Sequence, residues 1–232
     1  MARGIVGAPA DFFIAMGHGR SYGQRSSLLG RRLPGITECG LWEALGKVNA
    51  PTSALITDIG NDVIYGVPVQ TILKWVIQCV DRLQEIQATI VVTLPPMASL
   101  EKLTPWRFRV ARSLLFPGRR ITLDDTLDRT RTLHAGLGSL GGRPGLTVVE
   151  PEGRWYGLDP IHPRRRFLAK AWQQALGPWA ADATEPPRAR LSPRRWLRLR
   201  TITPQQWWLL GRELGQDQPS GQLGDGTSFW LF

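Results

Sequence analysis

Three short stretches of this chain hold residues whose types and spacing can do chemistry. "GLDPIHP" (157–163) sets Asp159 three positions before His162. A carboxylate there can accept from one imidazole nitrogen and fix the ring tautomer, leaving the other nitrogen to take a proton. "DIGND" (58–62) carries Asn61, whose side-chain N–H can face a developing oxyanion from the end of a strand. "GHGRSYG" (17–23) follows the apolar run "FFIAM" and offers Ser21 among Gly17, Gly19 and Gly23. Each stretch alone has a plainer reading, since Asp-x-x-His and Gly-Asn-Asp are both common in tight turns. Their order, and their placement at the ends of strands, is what sets them apart.

The elements that must position them follow from periodicity. "FFIAM" (12–16), "ALITDI" (54–59), "TIVVTL" (89–94) and "LTVVE" (146–150) read as buried parallel strands. Between the second and third, Ile72, Val76, Cys79, Val80, Leu83 and Ile86 recur at helical spacing. Residues 98–115 and 122–137 are further helix candidates. After 163, Phe167, Leu168, Ala171, Trp172, Ala175 and Leu176 share one helical face, with Gly177 as the stop. Alternating strands and helices predict an α/β fold with a central parallel sheet and its site at the C-terminal strand ends.

On these residues the chain resembles the SGNH (GDSL-type) hydrolases, a family of esterases, lipases, thioesterases and carbohydrate deacetylases. The resemblance spans roughly residues 11–177 and implies a three-layer α/β/α, flavodoxin-like sandwich. "DPIHP" looks like the family's fifth block, which implies Asp159 as the triad acid and His162 as the general base. "GND" looks like the third block, with Asn61 in the oxyanion hole, and "PGIT" (34–37) like the second, with Gly35 supplying a backbone N–H. In the first block the family has Gly-Asp-Ser-x-Ser/Thr-x-Gly. Here His18 stands for the Asp and Gly19 for the nucleophilic serine, leaving Gly19 only a backbone N–H for the oxyanion hole.

Ser21 is the other candidate nucleophile, because "GRSYG" also fits Gly-x-Ser-x-Gly, the elbow of α/β-hydrolases. That fold places several strands before its elbow, and its acid and histidine come from separate loops. Successive Cα atoms are about 3.8 Å apart, so two positions move a hydroxyl well beyond the roughly 3 Å reach of a base. The family register puts Ser21 at the start of a helix, where it would cap backbone N–H groups. His18 reads as a turn residue between glycines, or as a second imidazole beside the site.

Bulk composition bounds the rest. The chain has 232 residues, 42% of them hydrophobic, which suffices for a substantial α/β core. With 29 Lys and Arg against 19 Asp and Glu, its formal net charge is +10, which favours acidic partners without a firm nucleic-acid signal. Cys39 and Cys79 read as reduced core residues. His18, His134 and His162 are too scattered for a metal site, and nothing calls for a cofactor. No run approaches the roughly 20 apolar residues of a transmembrane helix, and no signal peptide is evident, so the expected compartment is the cytoplasm.

Near residue 181 the texture changes. Arg188, Arg190, Arg194, Arg195, Arg198 and Arg200 follow in a proline-containing stretch with no acid after Glu185. The expected organisation is an SGNH-like domain over 1–181 and a small basic, Trp-rich C-terminal appendage over 182–232. In the appendage "WLRLRTI" reads as a strand, "TPQQWWLLGRELG" as a short helix capped by Thr203 with Pro204 behind it, and "TSFWLF" as a final strand. Trp196, Trp207, Trp208 and Trp230 would pack a mini-core, or meet a protein partner or an anionic surface. Three readings stay open: a serine-less member of the family that binds an ester or acyl group, an active esterase using Ser21 or water, and an interaction protein acting through its C-terminal segment.

Overall fold

The computed structural model describes residues 2–28, 31–115, 121–157, 159–180, 197 and 199–232. In chain order its elements are α1 (Ala2–Val6), β1 (Asp11–Ile14), β2 (Ser26–Leu28), β3 (Arg31–Leu33), α2 (Leu41–Leu45), β4 (Ser53–Ile56), α3 (Asn61–Ile64), α4 (Val69–Glu85), β5 (Thr89–Thr93), α5 (Met97–Leu100), α6 (Pro105–Leu115), α7 (Leu123–Gly138), β6 (Leu146–Val149), α8 (Leu168–Leu176), β7 (Gln206–Leu209), β8 (Arg212–Gly215), β9 (Gly221–Gln222) and β10 (Ser228–Leu231). The chain divides into two units: residues 51–181, and residues 1–50 joined with 182–232.

The continuous unit, 51–181, is built on a parallel sheet of order β4-β5-β6. Successive strand residues point to opposite faces. Ile90, Val91 and Val92 are all fully buried, so both faces of β5 are covered. One cover is α4, whose Ile72, Val76, Cys79, Val80 and Leu83 are buried at the expected helical spacing. A second helix, α7, packs on α4. It starts where Thr122 Oγ1 accepts the Asp125 N–H at 3.2 Å, and Asp124 and Asp125 in its first turn complement the helix dipole. In α8, Ala175 and Leu176 are buried, but Leu168 and Trp172 of the expected apolar face are 40% and 45% exposed.

The other unit is assembled from two distant pieces of chain. The run "FFIAM" (12–16) is expected in the central parallel sheet, and its first three residues fall in β1. That strand pairs instead with β10, parallel, in a three-stranded sheet of order β1-β10-β9. Aromatic side chains account for the choice: Phe12 stacks on Phe229 with centroids 5.3 Å apart, and Phe13 on Trp230 at 5.4 Å. The second sheet, β2-β3-β7-β8, is antiparallel. The protein is thus a mixed α/β chain with small sheets. Residues 182–232 do not stand apart as an appendage; they group with residues 1–50.

The short helix expected at 203–215 is a hairpin. Leu210 and Gly211 both have positive φ, 49° and 83°, which is the two-residue turn that joins twisted antiparallel strands. The strand expected over "WLRLRTI" finds no support among its described residues, which form no strand. Trp196, Arg198 and the arginines from 188 to 195 lie outside the described residues. Cys39 and Cys79 are both buried and are not joined in a disulfide. No helix among the described residues is long and apolar enough to cross a membrane.

Candidate active site

The dyad sits in the loop that follows β6. A 3-10 turn at Gly153–Trp155 buries the Trp155 ring, and the Arg164 N–H donates to the Trp155 carbonyl at 2.8 Å, closing the loop. Inside it, the Gly157 N–H donates to the Asp159 carbonyl at 3.3 Å. Asp159 Oδ1 accepts the N–H groups of Ile161 (3.0 Å) and His162 (3.1 Å). Its Oδ2 lies 2.7 Å from His162 Nδ1. The aspartate therefore shapes the turn and orients the ring at once. Both side chains remain open to solvent, 51% for Asp159 and 63% for His162.

Electrostatics follow from this geometry. The hydrogen bond to Asp159 raises the His162 pKa, against partial desolvation, with the Asp159 and Asp58 charges adding to the rise. Partial burial works to raise the Asp159 pKa. The hydrogen bond to His162 and the two backbone N–H groups outweigh it, so the net shift is downward. The pair thus favours carboxylate facing imidazolium at mildly acidic pH. No hydrogen bond to His162 Nε2 is seen among the described residues, and this nitrogen is the one the dyad leaves for a proton.

Two further groups belong to this edge of the sheet, and neither was singled out from the sequence. Asp58 follows β4 with a left-handed φ of 56°. Surrounding protein raises its carboxyl pKa, while the His162 charge pulls the other way. Tyr156 is pushed up to about 12, first by burial and then by the Asp58 charge, so its hydroxyl stays a donor through the physiological range. The first Asp of "DIGND" at a strand end was a usable signal for Asp58. Tyr156 carried none, because its nearness to Asp58 is created by the fold. Asn61 opens α3, and its Nδ2 donates to the Asp58 carbonyl at 3.4 Å.

The remaining sequence candidates belong to the other unit. The Arg20 N–H donates to the Gly17 carbonyl at 3.1 Å, closing a turn with His18 and Gly19 at its centre. Gly19 has φ +62°, the conformation that a type II turn reserves for glycine at its third position. His18 is exposed on that turn. Ser21 is fully buried, and its Oγ accepts the N–H groups of Gln24 (3.0 Å) and Gly23 (3.3 Å). It supports a backbone turn, as a capping serine does, but the expected helix is absent and β2 follows instead.

Gly35 is held against the same turn. The Ile36 and Thr37 N–H groups donate to the Ser21 and Tyr22 carbonyls at 3.2 and 2.8 Å. A Cβ on Gly35 would lie 2.8 Å from the carbonyl carbon of Gly23. The Arg20 guanidinium, itself buried, donates to the carbonyls of Pro34, Met16 and Phe232. Glycine at 19 and 35 thus has a local structural cause in each case.

Compared with protein-family models, curated proteins and solved structures, this chain finds no match.

Proposed function

We propose that this chain is a serine-less protein of SGNH-hydrolase type. In this reading it binds an ester or acyl group beside Asp159–His162 and lacks the acyl-enzyme route. The observation that carries the reading is the 2.7 Å contact between Asp159 Oδ2 and His162 Nδ1, in a loop after a strand of a parallel sheet. The family's three-layer sandwich and its oxyanion group at Asn61, which shares the dyad's unit, belong to the same proposal.

Chemically, the dyad can remove a proton from water as that water attacks an ester carbonyl, Asp159 stabilising the imidazolium that forms. The proton then passes from Nε2 to the departing alkoxide. Ser21 does not serve as nucleophile in this reading, since its buried oxygen already accepts two backbone N–H groups. Loss of the serine in a triad costs on the order of 10⁶-fold in turnover, with about 10³–10⁴-fold over water surviving from other groups. Slow, His162-dependent hydrolysis is therefore the expected activity.

The deciding experiment is hydrolysis of p-nitrophenyl acetate by the wild type and by His162→Ala, Asp159→Asn and Ser21→Ala, alongside labelling with a fluorophosphonate. The expected result is slow turnover that depends on His162, without a burst and without a serine adduct. Fast turnover with Ser21 labelled would replace this reading by that of an active serine esterase.

A further inference from the structure

The loop that carries the dyad also borders a cavity of about 300 Å³, whose lining includes Ser99, Lys102, Arg107, Arg154, Tyr156 and Arg164. Four of these side chains are cationic, and among the described residues no acidic one lines the cavity. Arg154 is compensated by an ion pair with Glu152. Arg107 Nη2 donates to the Gly157 carbonyl at 3.1 Å and Arg164 Nη2 to the Arg154 carbonyl at 2.6 Å. Neutral carbonyls orient these two guanidinium groups without cancelling their charge. Lys102 has no ion pair among the described residues.

Two features bear on how this charge is held. Arg107 stands in the first turn of α6, where the helix dipole disfavours a cation. The Arg164 guanidinium is held by the Arg154 carbonyl and by the Phe167 ring 5.2 Å from its guanidinium carbon, while its backbone N–H donates to Trp155. A guanidinium immobilised in advance loses less freedom on binding, and its planar fork matches a carboxylate or phosphate. Tyr156 forms part of the cavity wall and also feels the charge of Asp58, the neighbour of His162 in the electrostatics of the dyad.

We infer that this cavity binds an oxyanion, with Lys102, Arg107 and Arg164 as its ligands, and that the oxyanion is a carboxylate or phosphate on the same molecule whose acyl group meets His162. The second half rests on the function proposed above; the first does not. It selects anionic esters over neutral ones.

The test has a binding arm and a turnover arm. Calorimetric titration with inorganic phosphate and with benzoate, at ionic strength held constant with sodium chloride, should show saturable binding of at least one of the two. Arg107→Gln with Arg164→Gln should weaken it by about tenfold or more. Lys102→Gln, which removes no side-chain hydrogen bond or ion pair seen among the described residues, should weaken it by a smaller factor and keeps the test decisive if the double variant does not fold. The exposed Lys74→Gln, outside the lining of the cavity, should leave it unchanged. Absence of saturable binding, or equal losses in Lys74→Gln and Lys102→Gln, overturns the assignment.

In the turnover arm, p-nitrophenyl hemisuccinate should exceed p-nitrophenyl butyrate in kcat/KM, and the arginine double variant should erase the difference. Arginine-dependent anion binding without any His162-dependent turnover would uphold the cavity and sink the ester reading. His162-dependent turnover with no preference for the anionic ester would keep the ester reading and sink the link between the cavity and the substrate.

Discussion

Asp159 holds His162 twice, its Oδ2 2.7 Å from the ring Nδ1 and its Oδ1 accepting the histidine's own backbone N–H at 3.1 Å. The ring and the peptide that carries it answer to one carboxylate. Removing the charge of Asp159 should therefore disturb both the tautomer and the turn.

The pH dependence has a definite sign. A raised histidine pKa contributes stability that is complete below the unfolded value and lost as pH rises through the folded one. The lowered pKa of Asp159 contributes stability above the unfolded carboxylate value, lost as pH falls through the folded one. The pair's contribution is greatest from about pH 4 to about pH 6.5. With both groups half-exposed it amounts to about 1 kcal/mol or less. Ester turnover needs neutral imidazole, so it should rise with pH just where that contribution falls. NMR titration should place the His162 pKa above the free-histidine value, and Asp159→Asn should bring it down.

Ser21→Ala should destabilise the unit formed by residues 1–50 and 182–232 by about 1–3 kcal/mol, because two backbone N–H groups lose their acceptor inside the protein. Ester hydrolysis per folded molecule should not change. Denaturant melts and initial rates on the same samples check both halves; a collapse in rate with unaltered stability would restore Ser21 as a nucleophile.

Gly35→Ala should cost about 1–3 kcal/mol, since the new methyl meets backbone atoms of Gly23 and Gln24 at 2.8 and 3.0 Å. A rigid backbone neighbour cannot swing aside as a long side chain would. An unchanged unfolding midpoint would show that the two loops do not approach so closely.

Gly19→Ser should cost about 1–2 kcal/mol in stability, because a side chain is forced into a left-handed position at φ +62°. Denaturant melts check it, and an unchanged midpoint would show that the turn at 17–20 relaxes without strain.

Phe229→Ala should be among the most damaging single changes in its unit, at about 3–5 kcal/mol. It is 9% exposed and stacks on Phe12 across the β1–β10 pairing. Melting followed by near-UV circular dichroism would register it.

What the sequence made legible was local. The face of α4 from Ile72 to Leu83 and the strands β4, β5 and β6 follow from periods of 3.6 and 2, which neighbours in sequence suffice to set. Asp159 and His162 were legible for the same reason, being three positions apart. The hairpin at 206–215 was misread as a helix because Thr203 and Pro204 imitate a helix start. The Leu210–Gly211 turn also lacks the Asn-Gly or Asp-Gly that usually announces it. The pairing of β1 with β10, and the approach of Tyr156 to Asp58, depend on contacts far apart in the chain. No window of sequence contains them.

The parallel pairing of β1 with β10 also orders events during synthesis. Phe12 and Phe13 leave the ribosome with their partners Phe229 and Trp230 more than two hundred residues away. Residues 51–181 have no such wait, because their sheet is complete once β6 is made. On a chain extending at about 5–20 residues per second, the inner unit has seconds to fold around its own strands. All that time the aromatic edge of β1 is unpaired, and it is there that a nascent chain would be most exposed to chaperones and to mispairing with another copy.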